Sequence, residues 1–281
     1  NSFTDFSDTV MAAQGNPYDV GVIYPPLCYL LCKIMGGMIP GFKDFQDTMA
    51  LRDSQMGRMV YTYFVVLCVL VVFFVIVKFC KYDNLYKICL SLVIVLSVPF
   101  LSTVDRGNFL LLCTVCVIVF VAFYDSENKF AKELALICLA CAAAMKLYPA
   151  LFGLLLLSDK KYKEAVRAVI YGIVLLVVPF FFMGGVGQIP QMLKNSLTLN
   201  NNTLSGSTGF GYGFKVNATS SIGSIFDWLF AKNYTVYIKM LVYFFVVLLL
   251  VGSLFIKKKW KRIAAISLVV ILMPDFSFIY N

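Results

Sequence analysis

The sequence predicts an all-α membrane protein that crosses the bilayer several times, and three observations carry that prediction. The 281 residues are 60% apolar and only 14% charged, with a mean hydropathy of +0.84. Soluble domains carry about 25% charged and 45–50% apolar residues. Long apolar runs recur along the chain, and the basic residues gather between particular runs. This balance excludes a soluble globular enzyme, a disordered chain and a disulfide-rich secreted module. No His occurs, so imidazole metal sites and His-dependent triads are excluded.

Residues 1–57 read as a first external loop. It begins Asn1-Ser2-Phe3-Thr4-Asp5-Phe6-Ser7-Asp8-Thr9-Val10. Asp8 or Ser7 can cap a short helix over 9–14. Residue type alone favours that cap; the other reading is that a carboxylate where the chain leaves the bilayer is well placed as a general base toward a hydroxyl on a membrane-bound substrate. Asn16-Pro17-Tyr18 and Tyr24-Pro25-Pro26 are turn and helix-start signals. The apolar stretch 26–39 is too short to cross and reads as an interfacial helix, ended by Gly36-Gly37 and Pro40-Gly41.

A transmembrane core follows over 58–183. Crossing a bilayer takes roughly 20 apolar residues, fewer where a helix end is buried in protein. Runs at about 58–79, 86–102, 108–124, 164–183 and 235–256 meet that need, and a sixth covers about 263–279. The stretch 133–157 is interrupted by Met145-Lys146-Leu147-Tyr148-Pro149. Read as a hairpin of two short helices, 133–145 and 149–157, it leaves every basic cluster on one face, which nets +8 against zero on the other. Read as a single crossing, it splits the clusters between faces. The hairpin is therefore preferred and the +8 face is cytoplasmic. The overall charge of +9 is then a topology signal, not a nucleic-acid signal.

The segment 184–234 becomes a long external loop rich in Asn, Ser, Thr and Gly, and 235–281 holds the C-terminal transmembrane helices. Within the loop, Ser205–Phe214 alternates Gly with aromatic residues and reads as a mobile segment able to stack on a sugar ring. Asn201, Asn217 and Asn233 open Asn-x-Thr sequons. Pro99, Pro179 and Pro274 sit in the outer thirds of their spans and should splay the helices there into a cavity. The nine Cys read as small hydrophobes without zinc spacing. Lys257-Lys258-Lys259-Trp260-Lys261-Arg262 is a topology anchor with an interfacial Trp. Residue 1 is Asn and the chain stops at Asn281 after an apolar run, so the sequence reads as a piece of a longer protein.

One external turn and the hairpin turn carry further chemistry. Arg106 in Asp105-Arg106-Gly107-Asn108 is a fixed cation suited to a phosphate oxygen. The plainer alternative is a turn in which Asn108 caps the next helix. Lys146 follows Ala142-Ala143-Ala144-Met145, and an ammonium at the bilayer centre costs about 2.5–3.5 kcal/mol. Snorkelling reduces that cost, yet an ionisable group at this depth is a functional candidate.

The order of these motifs resembles glycosyltransferase family 87, a group of membrane-embedded GT-C transferases: Asp5, Gly15-Asn16-Pro17-Tyr18, Tyr24-Pro25-Pro26-Leu27, Asp105-Arg106-Gly107-Asn108, then Lys146-Leu147-Tyr148-Pro149. The resemblance implies a GT-C-like helical bundle in a bacterial plasma membrane with an extracytoplasmic site. It also implies a polyprenyl-phosphate hexose donor, often mannose, a lipid or glycan acceptor, inversion at the anomeric carbon, and no further cofactor or metal. Asp5 matches the family's catalytic base. Arg106 and Lys146 are assigned to the donor phosphate from charge and position, and Asp8, Tyr18, Tyr24, Asn108 and Tyr148 complete the substrate-binding set. Some members place a His near that phosphate, a role left open here. The competing readings are a transporter or flippase of lipid-linked sugars and a polysaccharide polymerase or ligase.

Overall fold

A computed structural model describes residues 3–79, 82–204, 218–230 and 235–272, and every regular element among them is helical. The helices are α1 (Thr4–Ala12), α2 (Pro26–Gly37), α3 (Thr48–Asp53), α4 (Gln55–Phe79), α5 (Asn84–Val95), α6 (Val98–Arg106) and α7 (Leu110–Phe123). They continue with α8 (Lys129–Met145), α9 (Leu154–Ser158), α10 (Tyr162–Val177), α11 (Ile189–Leu204), α12 (Ala218–Phe230), α13 (Thr235–Phe255) and α14 (Lys259–Leu272).

Among the described residues, three helical stretches are long and apolar enough to cross a bilayer: Gln55–Phe79, Tyr162–Phe182 and Tyr237–Phe255. They turn large apolar side chains outward, among them Leu67, Phe74, Val169, Ile173, Phe244 and Leu248. In water such surfaces would aggregate; in lipid they are solvated. The protein is thus an all-α polytopic membrane protein.

The run 86–102 is not one straight span. It breaks into α5 and α6, bent by 52°, because Pro99 cannot donate to the preceding turn and a new helix starts there. Ser97 marks the restart: its hydroxyl accepts the Phe100 N–H at 3.4 Å. Pro179 likewise ends the α-helical part of α10, and Val178–Phe182 continue as a 3-10 turn. Pro274 lies outside the described residues. The run 108–124 condenses to the 14 residues of α7, about 21 Å long at 1.5 Å per residue. This is short of the 30 Å hydrocarbon core.

Tyr124 and Asp125, just before the 129–158 stretch, meet the residues just after it. The Tyr124 hydroxyl donates to Asp159 at 2.9 Å, and Lys161 is ion-paired with Asp125. The chain therefore turns back at Lys146, with Gly153 returning past Leu139. The outgoing limb is longer than the sequence suggests. Helix α8 begins at Lys129, where Asn128 caps it by accepting the Ala131 N–H. The returning limb is a 3-10 turn, Tyr148–Gly153, and then α9. In lipid, helices associate through close packing rather than apolar burial, so small residues let backbones approach. Ala135, Ala140, Ala142 and Ala144 are buried where α8 packs on its neighbours.

The basic segments collect at one end. Arg262 is 7% exposed; it donates to the Ile256 carbonyl and, at 2.5 Å, to Asp159. Lys259 pairs with Asp125 at 3.5 Å, and Lys78 sits 5.2 Å from the Phe123 ring. The hydrogen bond from Lys161 holds the Asp125 carboxyl below the usual carboxylate range. The opposite end carries α1, α2, the α6–α7 elbow and the hairpin turn.

The 184–234 segment is largely helical among the described residues, in α11 and α12. Asn195 on α11 is buried and donates to the carbonyls of Tyr18 at 2.9 Å and Val22 at 3.1 Å, tying α11 to the first loop. Ser205–Phe214, Asn217 and Asn233 lie outside the described residues; Asn201 lies on α11. Helix α2 buries Leu27, Cys28, Tyr29 and Cys32 against the bundle.

Candidate active site

The site is assembled where α1 meets the α6–α7 elbow. Gly107 ends α6 at φ +74°, the left-handed conformation that glycine adopts without a Cβ penalty. A Cβ there would lie 2.8 Å from the Phe6 Cβ and 3.1 Å from the Phe3 Cα. Glycine is thus required twice, for the turn and for the close approach of α1. Phe3 is also left-handed, at φ +61°, a conformation that bulky residues adopt only when held. Its N–H donates to the Asp105 carbonyl at 2.5 Å, and its ring lies 4.7 Å from Tyr61. The Tyr61 hydroxyl, in turn, donates to the Val104 carbonyl at 2.7 Å.

Helix α1 starts at Thr4, five residues earlier than a helix over 9–14. Phe6, Val10 and Ala13 lie at helical spacing and are all buried, so the apolar face begins before Ser7. Asp8 is consequently an exposed mid-helix residue rather than a cap, and the Ser7 hydroxyl donates back to the Phe3 carbonyl.

Docking α1 on the elbow brings Asp5 to two donors. Arg106 donates to Asp5 Oδ1 at 2.6 Å, and Asn108 Nδ2 donates to Oδ2 at 2.9 Å. Asn108 is 2% exposed and also caps α7, because its Oδ1 accepts the Leu110 N–H at 2.9 Å. Capping and carboxylate holding are therefore one arrangement of one side chain. The same Nδ2 lies 3.4 Å from the Tyr24 hydroxyl. Lys146 Nζ sits 5.6 Å from the Tyr24 ring centroid and 6.0 Å from that of Tyr148.

Six of the eight candidate residues thus gather: Asp5, Tyr24, Arg106, Asn108, Lys146 and Tyr148. Two do not. Asp8 is exposed on α1. Tyr18 is buried and donates its hydroxyl to the Tyr24 carbonyl at 3.2 Å. Burial pushes its phenol well above the ordinary value, so it remains a donor that positions Tyr24. Four contributors escape sequence reasoning: Phe3, Tyr61, Gly107 and Asn195. Of these, Gly107 alone carries a local signal, as a glycine directly after a helical stretch.

Both poles of the cluster are accessible. The side chain of Asp5 is 18% exposed and that of Arg106 is 44% exposed. A carboxylate has about four lone-pair positions, so Asp5 retains capacity for a hydroxyl proton beside its two donors. Guanidinium has five N–H groups, and most of those on Arg106 remain available to a phosphate. Among the described residues, no group of three or more His, Cys, Asp or Glu is placed to hold a metal ion.

Against known proteins, no curated protein and no solved structure matches the chain. The sequence profile described as "Glycosyltransferase family 87" matches residues 23–278. That match includes Tyr24, Arg106, Asn108, Lys146 and Tyr148, while Asp5, Asp8 and Tyr18 precede it. Matched over most of its length, the helical membrane bundle belongs to glycosyltransferase family 87.

Proposed function

We propose that this membrane glycosyltransferase moves a hexose, with mannose the first candidate, from a polyprenyl-phosphate sugar to a lipid or glycan acceptor. The reaction runs on the extracytoplasmic face of a bacterial plasma membrane. The observation that carries the reading is the contact of Asp5 with Arg106 and Asn108, beside Lys146, at the end away from the basic clusters. The positive-inside rule assigns those clusters to the cytoplasm.

Asp5 accepts the proton of the acceptor hydroxyl as its oxygen attacks the anomeric carbon. The bond from that carbon to the phosphate oxygen breaks on the opposite side, and the electron pair leaves with polyprenyl phosphate. A single displacement of this kind inverts the anomeric centre. The leaving phosphate needs charge stabilisation rather than protonation, which Arg106 and Lys146 supply. Asn108 and Tyr24 fix the base, and Tyr148 borders the phosphate side.

Two apolar cavities flank the hairpin turn and suit an isoprenoid chain. One, of about 390 Å³, is lined by residues including Ala143, Ala144, Leu147 and Ile173. The other, of about 260 Å³, is lined by residues including Leu110, Cys113, Tyr148 and Ile271. Nothing beyond the lipid-linked donor is required as a cofactor.

Incubating the protein in its membrane with a radiolabelled polyprenyl-phosphate hexose tests the proposal. One labelled sugar per acceptor is expected, with free polyprenyl phosphate released. Movement of label between leaflets without a product would mean transport. A ladder of products would mean polymerisation.

A further inference from the structure

The basic end holds more positive charge than its acids neutralise, and it holds that charge in one place. Asp159 is consumed internally, accepting from the Tyr124 hydroxyl and from Arg262. Asp125 is likewise shared between Lys161 and Lys259. These contacts clasp the 159–163 segment to the 256–262 segment, which lies about a hundred residues further along the chain. Lys160, Lys163, Lys257, Lys258 and Lys261 are left exposed on the clasped segments.

Like charges resist this arrangement, so a fixed clasp that concentrates them favours an anionic ligand. The backbone is committed to it as well. Lys160 is left-handed at φ +57°, held by its N–H to the Leu157 carbonyl at 3.0 Å and by the next N–H to Leu156 at 2.8 Å. Two amphipathic rings border the lysines, Tyr162 at 61% exposed and Trp260 at 66%. Such rings settle at the headgroup level of a bilayer. Phe255, 80% exposed just before Lys257, adds an apolar contact for an acyl chain.

We propose that the clasped 159–163 and 256–262 segments form a binding site for the phosphate headgroup of an anionic phospholipid, with Tyr162, Phe255 and Trp260 against its glycerol and acyl region. The ligand is a lipid rather than a soluble anion, because the lysines are flanked by exposed aromatic side chains at the end of spanning helices. The site is separate from the Asp5 cluster, and bound lipid locks α14 to the α7 and α9–α10 ends.

The test uses the full protein purified in a neutral detergent, titrated with phosphatidylglycerol, phosphatidylcholine or inorganic phosphate. Phosphatidylglycerol should raise the unfolding midpoint by several degrees, as expected for a ligand that binds only the folded state. Phosphatidylcholine and inorganic phosphate should not. Native mass spectrometry should show phosphatidylglycerol retained, with apparent affinity about tenfold or more weaker in the double variant Lys160→Ser, Lys258→Ser. Relief of like-charge repulsion raises the midpoint without lipid, so binding is read from the lipid-induced shift and from retained lipid, each measured against the same variant without lipid. Equal shifts from both lipids, or undiminished binding in the double variant, would overturn the site. An equal shift from inorganic phosphate would reassign it to a free anion and overturn the lipid assignment.

Discussion

Asp5→Asn lowers sugar transfer by about 10²–10⁴-fold, the usual contribution of a positioned general base, while folding and donor binding persist. The substitution keeps the shape of the side chain. Its amide oxygen still accepts from Arg106 or from Asn108, so the elbow that holds α1 is retained through Phe3, Phe6 and Gly107. What disappears is the capacity to take a proton from the acceptor hydroxyl. A folded protein that still binds donor is expected beside a collapsed turnover number, with an unfolding midpoint lowered because one of the two donors now faces an amide NH2. Near-normal turnover in this variant would remove Asp5 from the mechanism and leave its carboxylate as the partner that anchors Arg106.

Arg106→Ala weakens donor binding by about 10–100-fold, as expected when a charge-assisted hydrogen bond worth roughly 1.5–3 kcal/mol is lost. Turnover falls too, because phosphate charge grows as the sugar leaves. The guanidinium is paired with Asp5. A bound phosphate would share that cation through N–H groups that Asp5 does not engage. Arg106→Lys keeps the charge but loses the fork, so its donor affinity should fall between those of the wild type and Arg106→Ala. Donor titration with each variant separates the two roles. Unchanged affinity in Arg106→Ala would discard the phosphate clamp.

The fold class was legible because lipid imposes its demand on composition over long windows. The hairpin around Lys146 is an expectation of another kind: it rests on charge asymmetry, which counts whole loops and tolerates local error. Boundaries were less legible. The run 86–102 carries apolar residues throughout, yet Ser97 and Pro99 restart the helix and bend it by 52°. The 184–234 segment reads as loop because Asn, Ser and Thr dominate it, but α11 is held there by tertiary contacts from a buried Asn195. The candidate site divides in the same way. Arg106, Asn108 and Lys146 announce themselves as charged or capping residues in apolar surroundings. The partnership of Asp5 with Arg106 and Asn108 spans about a hundred residues of chain. It depends on the missing Cβ of Gly107, and no spacing rule reaches that far. Since the family match begins at residue 23, the position of Asp5 beside matched residues is a geometric finding.

The proposed transferase requires one arrangement: a hairpin that leaves and returns at the basic end, and an Asp5 cluster on the other side of the membrane. Single cysteines at positions 19, 126 and 160, each in a background freed of the nine native ones, test it directly in intact cells with a membrane-impermeant maleimide. Position 19 should label, whereas 126 and 160 should label only after the membrane is opened. Labelling that separates 126 from 160, or that groups 19 with them, would contradict the topology and the extracytoplasmic transferase built on it.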